Sequence, residues 1–332
     1  MRNELQPATE SGIRAYLRAY GSHSLAYSVM QHDLSFFEVA GVGGIAYRKF
    51  MGHTLALGNP LCAENDYEDV IQAFLRDRKG VIFAQVDGAA SEALRNIGVH
   101  MTPVGTDAWI DLVDFNLSGR NKRDLRHYRN RVRSAGVEIA EIRDTPAERF
   151  ELAQVSNRWI KTKHVSRREL SFLVRPFNQT PEPDTRMFSA TSGSRLIGFV
   201  VFDPIYRDHK CVGYTASILR AVPDASKGTL DAVLLQAMDQ FREEGIEFVS
   251  LGVMPMHKLR ETAQEHGKGA LPLYALCRIF EKLGWSPFVN VRGLCFHKSR
   301  YQPRTTPVFV ATTSPIGLLP ITILTRACGL VP

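Results

Sequence analysis

Charge is so unevenly spread along this chain that one stretch constrains the fold of everything around it. Ser118 to Gly136 reads SGRNKRDLRHYRNRVRSAG and holds seven Lys/Arg (Arg120, Lys122, Arg123, Arg126, Arg129, Arg131, Arg133) against one acid, Asp124. Its net +6 is nearly the whole chain's formal +7. At helical spacing Leu125, Tyr128, Val132 and Ala135 fall on one stripe, while Lys122, Arg126, Arg129 and Arg133 line a neighbouring face. Gly136 comes next as a C-terminal stop. The pattern predicts an amphipathic helix, anchored on its apolar side and presenting a ribbon of positive charge between two halves of the molecule. Such a ribbon suits a polyanion, the phosphates of a nucleic acid or of a lipid surface. A solvated, arginine-rich surface helix is the plainer alternative.

At 332 residues the chain has length for about two domains. A composition of 44% hydrophobic and 23% charged residues is that of a globular protein rather than a disordered one. The five cysteines (Cys62, Cys211, Cys277, Cys295, Cys328) are odd in number and widely spaced, with no C-x-x-C pair. They read as reduced, buried thiols in a cytosolic setting. The N-terminus lacks the apolar core of a secretory signal. No run reaches the roughly 18 apolar residues of a membrane span. The tail Pro315–Pro332, with its prolines and Arg326, reads as a docked segment or a surface-lying membrane contact.

Periodicity predicts helices over Glu10–Tyr20, Asp66–Arg78 and Ala89–Ile97, with strands at Ser35–Val39, Gly44–Phe50, Thr54–Leu57, Val81–Val86 and Ala108–Leu112. After the basic helix come the strand Val137–Ile142 and the helix Pro146–Lys161, with Phe150, Val155 and Trp159 inward. A Pro/Asn-rich loop at Pro176–Thr185 precedes strands at Met187–Ala190, Leu196–Asp203 and Cys211–Ser217. Then come the helix Thr229–Glu243, the strand Phe248–Leu251, a helix at Leu273–Leu283, and strands around Val289–Phe296 and Pro307–Ala311. This order predicts an α+β fold rather than a doubly wound sheet.

There is no Walker A loop, no H-E-x-x-H, no G-x-S-x-G elbow and no EF-hand loop. Gly41 to Ala46 fits G-x-G-x-x-A formally, but the run Ile45–Phe50 is strand-like rather than the start of a helix, so the glycines read as a hairpin turn. The ten histidines show no metal-ligand spacing, and no metal is expected. The most pointed stretch is Leu219–Pro255. There a strand end delivers Arg220, and a turn leads into a helix opened by Thr229, whose free N–H groups form an anion site. Asp231 in its first turn either complements the helix dipole or anchors a substrate ammonium. A second constellation, His297 to Arg304, offers cations that either hold a phosphate or decorate a rim.

Taken together these residues resemble the soluble C-terminal domain of the bacterial phosphatidylglycerol lysyl/alanyltransferases, the multiple peptide resistance factors, without their integral-membrane flippase portion. The family's Gly-Asp-Pro turn is matched by Gly58-Asn59-Pro60, and its basic helix G-x-x-x-x-x-L-R by Gly119 to Arg126. A W-x-x-x-K helix corresponds to Trp159 and Lys163. R-x-x-P-x-A-x-x-G-T-x-D is met by Arg220, Pro223, Ala225, Gly228, Thr229 and Asp231. S-L-G-x-x-P is met by Ser250, Leu251, Gly252 and Pro255, and the aromatic/basic close by Lys298, Arg300, Tyr301 and Pro303. The matches run in order over about residues 20–325, with Asn59 in place of the family's Asp and Thr305 in place of its usual Trp.

The resemblance implies tandem GNAT-like domains of the α+β class: residues 1–117, a basic linking helix at 118–136, and residues 137–332 with the apolar tail. It implies transfer of a lysyl- or alanyl-type amino acid from aminoacyl-tRNA onto a hydroxyl of phosphatidylglycerol or a related lipid. That is an ester-to-ester exchange needing no cofactor, carried out in the cytoplasm or peripherally on the inner face of the membrane. In that scheme Asp231 anchors the aminoacyl ammonium and Arg220 supports the site. Arg120, Lys122, Arg123, Arg126, Arg129 and Arg133, with Lys298 and Arg300, bind the phosphates of tRNA and anionic phospholipid. The alternatives are a Fem-type transferase acting on a peptidoglycan amine, and a non-catalytic RNA- or membrane-binding protein of the same fold.

Overall fold

A computed structural model describes residues 9–162, 169–259, 261–262, 291–313 and 318–330. Its strands are β1 (Ser35–Val39), β2 (Gly43–Phe50), β3 (His53–Leu57), β4 (Val81–Val86), β5 (His100–Asp111), β6 (Val137–Ile142), β7 (Arg186–Ser192), β8 (Arg195–Arg207), β9 (Lys210–Ala221), β10 (Phe248–Pro255) and β11 (Arg304–Thr312). Its helices are α1 (Glu10–Tyr20), α2 (Tyr67–Leu75), α3 (Gly88–Asn96), α4 (Arg123–Ser134), α5 (Pro146–Lys161), α6 (Thr229–Glu243), α7 (Val291–Ser299) and α8 (Leu318–Ala327). The strands form one sheet in the order β1-β2-β3-β4-β11-β5-β10-β9-β8-β7-β6. The mixed α+β class expected from the sequence is the class observed.

Two features of this sheet position the site. The first is the return of the chain end. β11 pairs antiparallel with both β4 and β5. In α8, Ile323, Leu324 and Ala327 join Leu17, Leu25, Leu55 and Leu57 in one buried cluster. The other face of the same strands is covered by α2 and α3 through Val70, Phe74, Ala90 and Leu94. So the first half of the sheet is completed by residues from the end of the chain, across the 118–136 division.

The second feature is a split in the sheet. β9 and β10 pair in parallel only over Phe248–Ser250. Beyond Ser250 a register shift carries β10 along β5 to Pro255, while β9 runs on with β8 to Ala221. Two parallel strands that part in this way leave unpaired backbone groups between them, which side chains must satisfy. Thr215, the last residue of the pairing, sends its hydroxyl 2.8 Å to the Ser24 carbonyl and so ties the N-terminal segment into the split.

Three local expectations are corrected. Leu125 and Val132 are fully buried, but Ala135 is exposed, because the helix has ended and the chain turns at Gly136. On α5 the inward residue is Arg149, with no exposed surface, and Phe150 beside it is 57% exposed. The guanidinium is satisfied by Asp144 at 2.5 and 2.8 Å and Glu182 at 3.0 Å, which lets a charge take the core position. The alternating stretch read as a strand around Val289–Phe296 is helical from Val291. Leu273–Leu283, Lys163 and Cys277 lie outside the described residues.

Candidate active site

The basic helix docks on the start of α6. Gly228, with φ +94°, is the residue before α6, and a Cβ there would stand 2.4 Å from the Tyr128 Cβ. Only glycine tolerates both the left-handed backbone and this approach. Tyr128 is thereby fixed over the split, and the Arg300 guanidinium lies 5.2 Å from its ring centroid.

Arg300 belongs to a compact polar cluster. Asp231, in the first turn of α6 and buried, accepts from Arg300 Nη2 at 3.0 and 3.2 Å and from the Tyr301 hydroxyl at 2.8 Å. The same Arg300 nitrogen is 2.6 Å from His297 Nδ1. Arg300 Nε is buried and has no partner among the described residues. Burial holds His297 below its ordinary value; Asp231 pulls it up and Arg300 and Lys298 push it down. Tyr301 has no exposed surface, stacks on Phe115 at 6.4 Å, and is held protonated by burial and by Asp231. The last turn of α7 and the residues after it therefore deliver His297, Lys298, Arg300 and Tyr301 into the split.

Lys298 turns toward β10. Its Nζ donates to the Val253 carbonyl at 2.9 Å, and burial brings the ammonium down to about 8, with Asp107 opposing. Asp107, on β5 and fully buried, accepts from the Ser250 hydroxyl at 3.0 Å and from the Ala108 N–H at 2.9 Å. Burial raises its carboxyl, and Ser24, Lys298 and Ser250 draw it back.

Arg220, the other expected catalytic residue, lies buried at the end of β9. It forms two hydrogen bonds with Glu169, at 2.5 and 2.6 Å, a further one with Ser156, and lies 4.8 Å from the Trp159 ring centroid. No hydrogen bond among the described residues joins it to Asp231, so the two expected residues have separate partner sets.

The ribbon residues divide. Lys122 donates to the Asn116 carbonyl at 2.8 Å and sits over Phe115. Arg126 bonds the Leu117 and Gly119 carbonyls. Arg129 pairs with Asp239 at 3.0 Å. Arg120, Arg123, Arg131 and Arg133 are exposed and form no ion pair among the described residues. Three ribbon residues thus anchor the helix, and four present charge outward.

Sequence reasoning passed over Tyr128, His297, Tyr301 and Asp107 as individual site residues. For Asp107 a signal existed: a lone acid in the strand-like run Thr106–Ile110. Among the described residues no group of three His, Cys, Asp or Glu side chains could hold a metal ion, and no helix is long and apolar enough to cross a membrane.

The family profile described as phosphatidylglycerol lysyltransferase, C-terminal, matches residues 14–312. The lysylphosphatidylglycerol biosynthesis bifunctional protein LysX of Mycolicibacterium vanbaalenii is 26% identical over 319 residues, covering 92% of this chain and 28% of the relative. A phosphatidylglycerol lysyltransferase of Staphylococcus aureus is 23% identical over 299 residues, covering 88% of this chain and 34% of the relative. The chain thus spans about a third or less of these curated relatives. The solved structure of L-PGS from Bacillus licheniformis shares the fold at 22% identity, with 98% of each chain covered and a TM-score of 0.80. With nine-tenths of its length inside the profile and the fold in agreement, the chain belongs to the phosphatidylglycerol lysyltransferase C-terminal family.

Proposed function

We propose that this chain is an aminoacyltransferase that moves an amino acid from the 3′ end of a charged tRNA onto a hydroxyl of phosphatidylglycerol, working at the inner surface of the membrane. Its family, and the names its relatives carry, support the transfer to phosphatidylglycerol. The observation that carries the donor side is the physical link from ribbon to site: α4 docks on α6 through Tyr128 and Gly228, and Tyr128 stacks on the Arg300 that Asp231 holds.

In this reading the outward arginines Arg120, Arg123, Arg131 and Arg133 take tRNA phosphates, with a strongly salt-dependent affinity. Lys122, Arg126 and Arg129 fix the helix that carries them and add to its field. The lipid hydroxyl oxygen attacks the aminoacyl ester carbonyl, and the tetrahedral oxyanion collapses with loss of the ribose oxygen. The proton given up by the attacking hydroxyl ends on that departing oxygen, so the exchange balances. Lys298 and Arg300 are the cations placed to hold the oxyanion or the lipid phosphate. Asp231 already takes hydrogen bonds from Arg300 and Tyr301, so we assign it to positioning that guanidinium rather than to the substrate ammonium. Arg220 supports the site indirectly, by clamping α5 through Ser156 and Trp159.

The test is transfer of labelled lysine or alanine from the corresponding tRNA to phosphatidylglycerol vesicles, with thin-layer chromatography and ninhydrin staining of lipids from expressing cells. A new amino-lipid that disappears in Asp231→Ala supports the proposal. An unchanged lipid profile, with no transfer from either charged tRNA, would overturn it.

A further inference from the structure

Asp107 is a buried acid with half of its carboxylate unused. The Ser24 side chain draws the carboxyl down and Oδ1 takes the Ser250 hydroxyl and the Ala108 N–H, but Oδ2, equally buried, has no hydrogen bond of ordinary geometry among the described residues. Lys298, the basic group whose charge acts on it, forms no ion pair with it and spends its one described hydrogen bond on the Val253 carbonyl. A second acid lies within electrostatic reach, Asp87, tied to Asn59 by hydrogen bonds of 2.6 and 3.1 Å. The two neighbouring histidines add no compensating charge. His23, packed against Gly58 and only 6% exposed, is held neutral by burial at about 4. His257, bonded to the Thr106 hydroxyl at 2.9 Å, is also pushed below its ordinary value by burial.

Burial raises the carboxyls of both Asp87 and Asp107, so the pair resists ionising, and Lys298 is the described cation that opposes this at Asp107. An acid kept in such a place stays ionised only when something supplies charge and hydrogen bonds. An apolar residue would pack in this strand without that requirement. What is missing is one positive charge carrying N–H donors, and the described residues offer no set of three ligands for a metal ion. The cation whose charge acts on this carboxyl is a lysine whose N–H can be redirected from a backbone carbonyl to a ligand's carbonyl oxygen. A cation next to a carbonyl describes an α-aminoacyl ester.

We infer that Asp107 anchors the α-ammonium of the aminoacyl group through Oδ2, with Lys298 facing the adjoining ester carbonyl. The assignment rests on the aminoacyl-transfer reading above and supplies the ammonium anchor that Asp231, already engaged, does not. Asp107 touches the substrate in this arrangement, Ser250 orients it, and Asp87 deepens the negative potential.

Three probes decide it: L-alaninamide and L-lysinamide, which keep the ammonium beside a carbonyl, and L-lactamide, which carries a hydroxyl in its place. Titrated into the full chain by calorimetry, both ammonium probes should bind at least tenfold more tightly than lactamide. Asp107→Asn should abolish that preference while leaving the affinity for uncharged tRNA unchanged. If that variant fails to fold, wild-type amide resonances still report. Those of Ala108, bonded to Oδ1, and Gly252, bonded to Ser250, should shift with alaninamide and not with lactamide. Equal binding of the three probes, no binding of any, an undiminished preference in Asp107→Asn, or unmoved Ala108 and Gly252 resonances would each overturn the inference. Transfer to lipid with no such preference removes this anchor and leaves the proposed function standing. The preference without transfer does the reverse.

Discussion

Arginine does two different jobs in this molecule, and the contrast between α4 and the network beneath α5 shows what decides between them. Under α5, Arg149 and Arg175 have side chains 0% and 2% exposed and share Glu182, with Asp144 and Asp203 completing the set. Two cations meet three carboxylates, the hydrogen bonds are short, and Arg175 lies over the Tyr27 ring at 5.4 Å. That network pins the loop before β7, where Tyr27 donates to the Pro183 carbonyl at 2.7 Å. On α4 and the turn before it, Arg120, Arg123, Arg131 and Arg133 are exposed where the buried pair has acids. Compensated charge holds a fold together, and uncompensated charge is available to a partner.

The contrast can be broken at either end, and the largest effect is expected inside. Arg149→Ala leaves Asp144 without its cation and Glu182 with Arg175 alone, and should cost about 3–5 kcal/mol in urea unfolding. A loss below about 1 kcal/mol would mean that the network contributes little to stability. Next comes the ribbon: replacing Arg120, Arg123, Arg131 and Arg133 by Gln should reduce the slope of log K against log salt for tRNA by roughly three, while unfolding shifts by only a few tenths of a kcal/mol per site. An unchanged slope would return α4 to the status of a solvated surface helix.

A smaller effect is expected from Lys298, which sits between these extremes. Its folded value, about 8, lies below the ordinary lysine value of about 10.4. Between those limits the unfolded chain binds more protons, so this group makes stability rise with pH across that window, and below about 8 its cost is fully present. Lys298→Met should lack that rise, which therefore appears in the wild-type-minus-variant difference, measured by unfolding at pH 7 and pH 10. The least change is expected at Arg129–Asp239, whose side chains are 42% and 34% exposed. A double-mutant cycle there should give less than about 1 kcal/mol.

Periodicity carried the sequence reading wherever one face of an element meets the core and the other meets water. The bounds of β6, α5 and α6 were legible for that reason, and β4, buried on both faces, was legible as a short apolar run. The reading failed where tertiary partners override a residue's usual habit. Arg149 is buried because Asp144, just ahead of α5, and Glu182, 33 residues on, surround it, and the second of these is not announced by the local sequence. Alternation in Val289–Phe296 imitates a strand, yet α7 forms there and brings Lys298 and Arg300 to different neighbours. The cations of the site were therefore legible as residue types, while their division of labour was not. Asp107 was least legible, since its significance lies in an oxygen left without a partner, which only the folded arrangement reveals.

The insertion of β11 between β4 and β5 has a consequence for how this protein is made. A ribosome will have emitted every residue up to Pro303 before the strand that joins β4 to β5 emerges, so the first lobe must wait, unjoined, while β6 to β10 of the second lobe are already made. Closing a pairing between residues 82 and 312 is also among the costliest loop closures the chain undergoes. Premature termination just before Arg304 should therefore unravel the first lobe ahead of the second, inverting the usual expectation that damage stays near the cut.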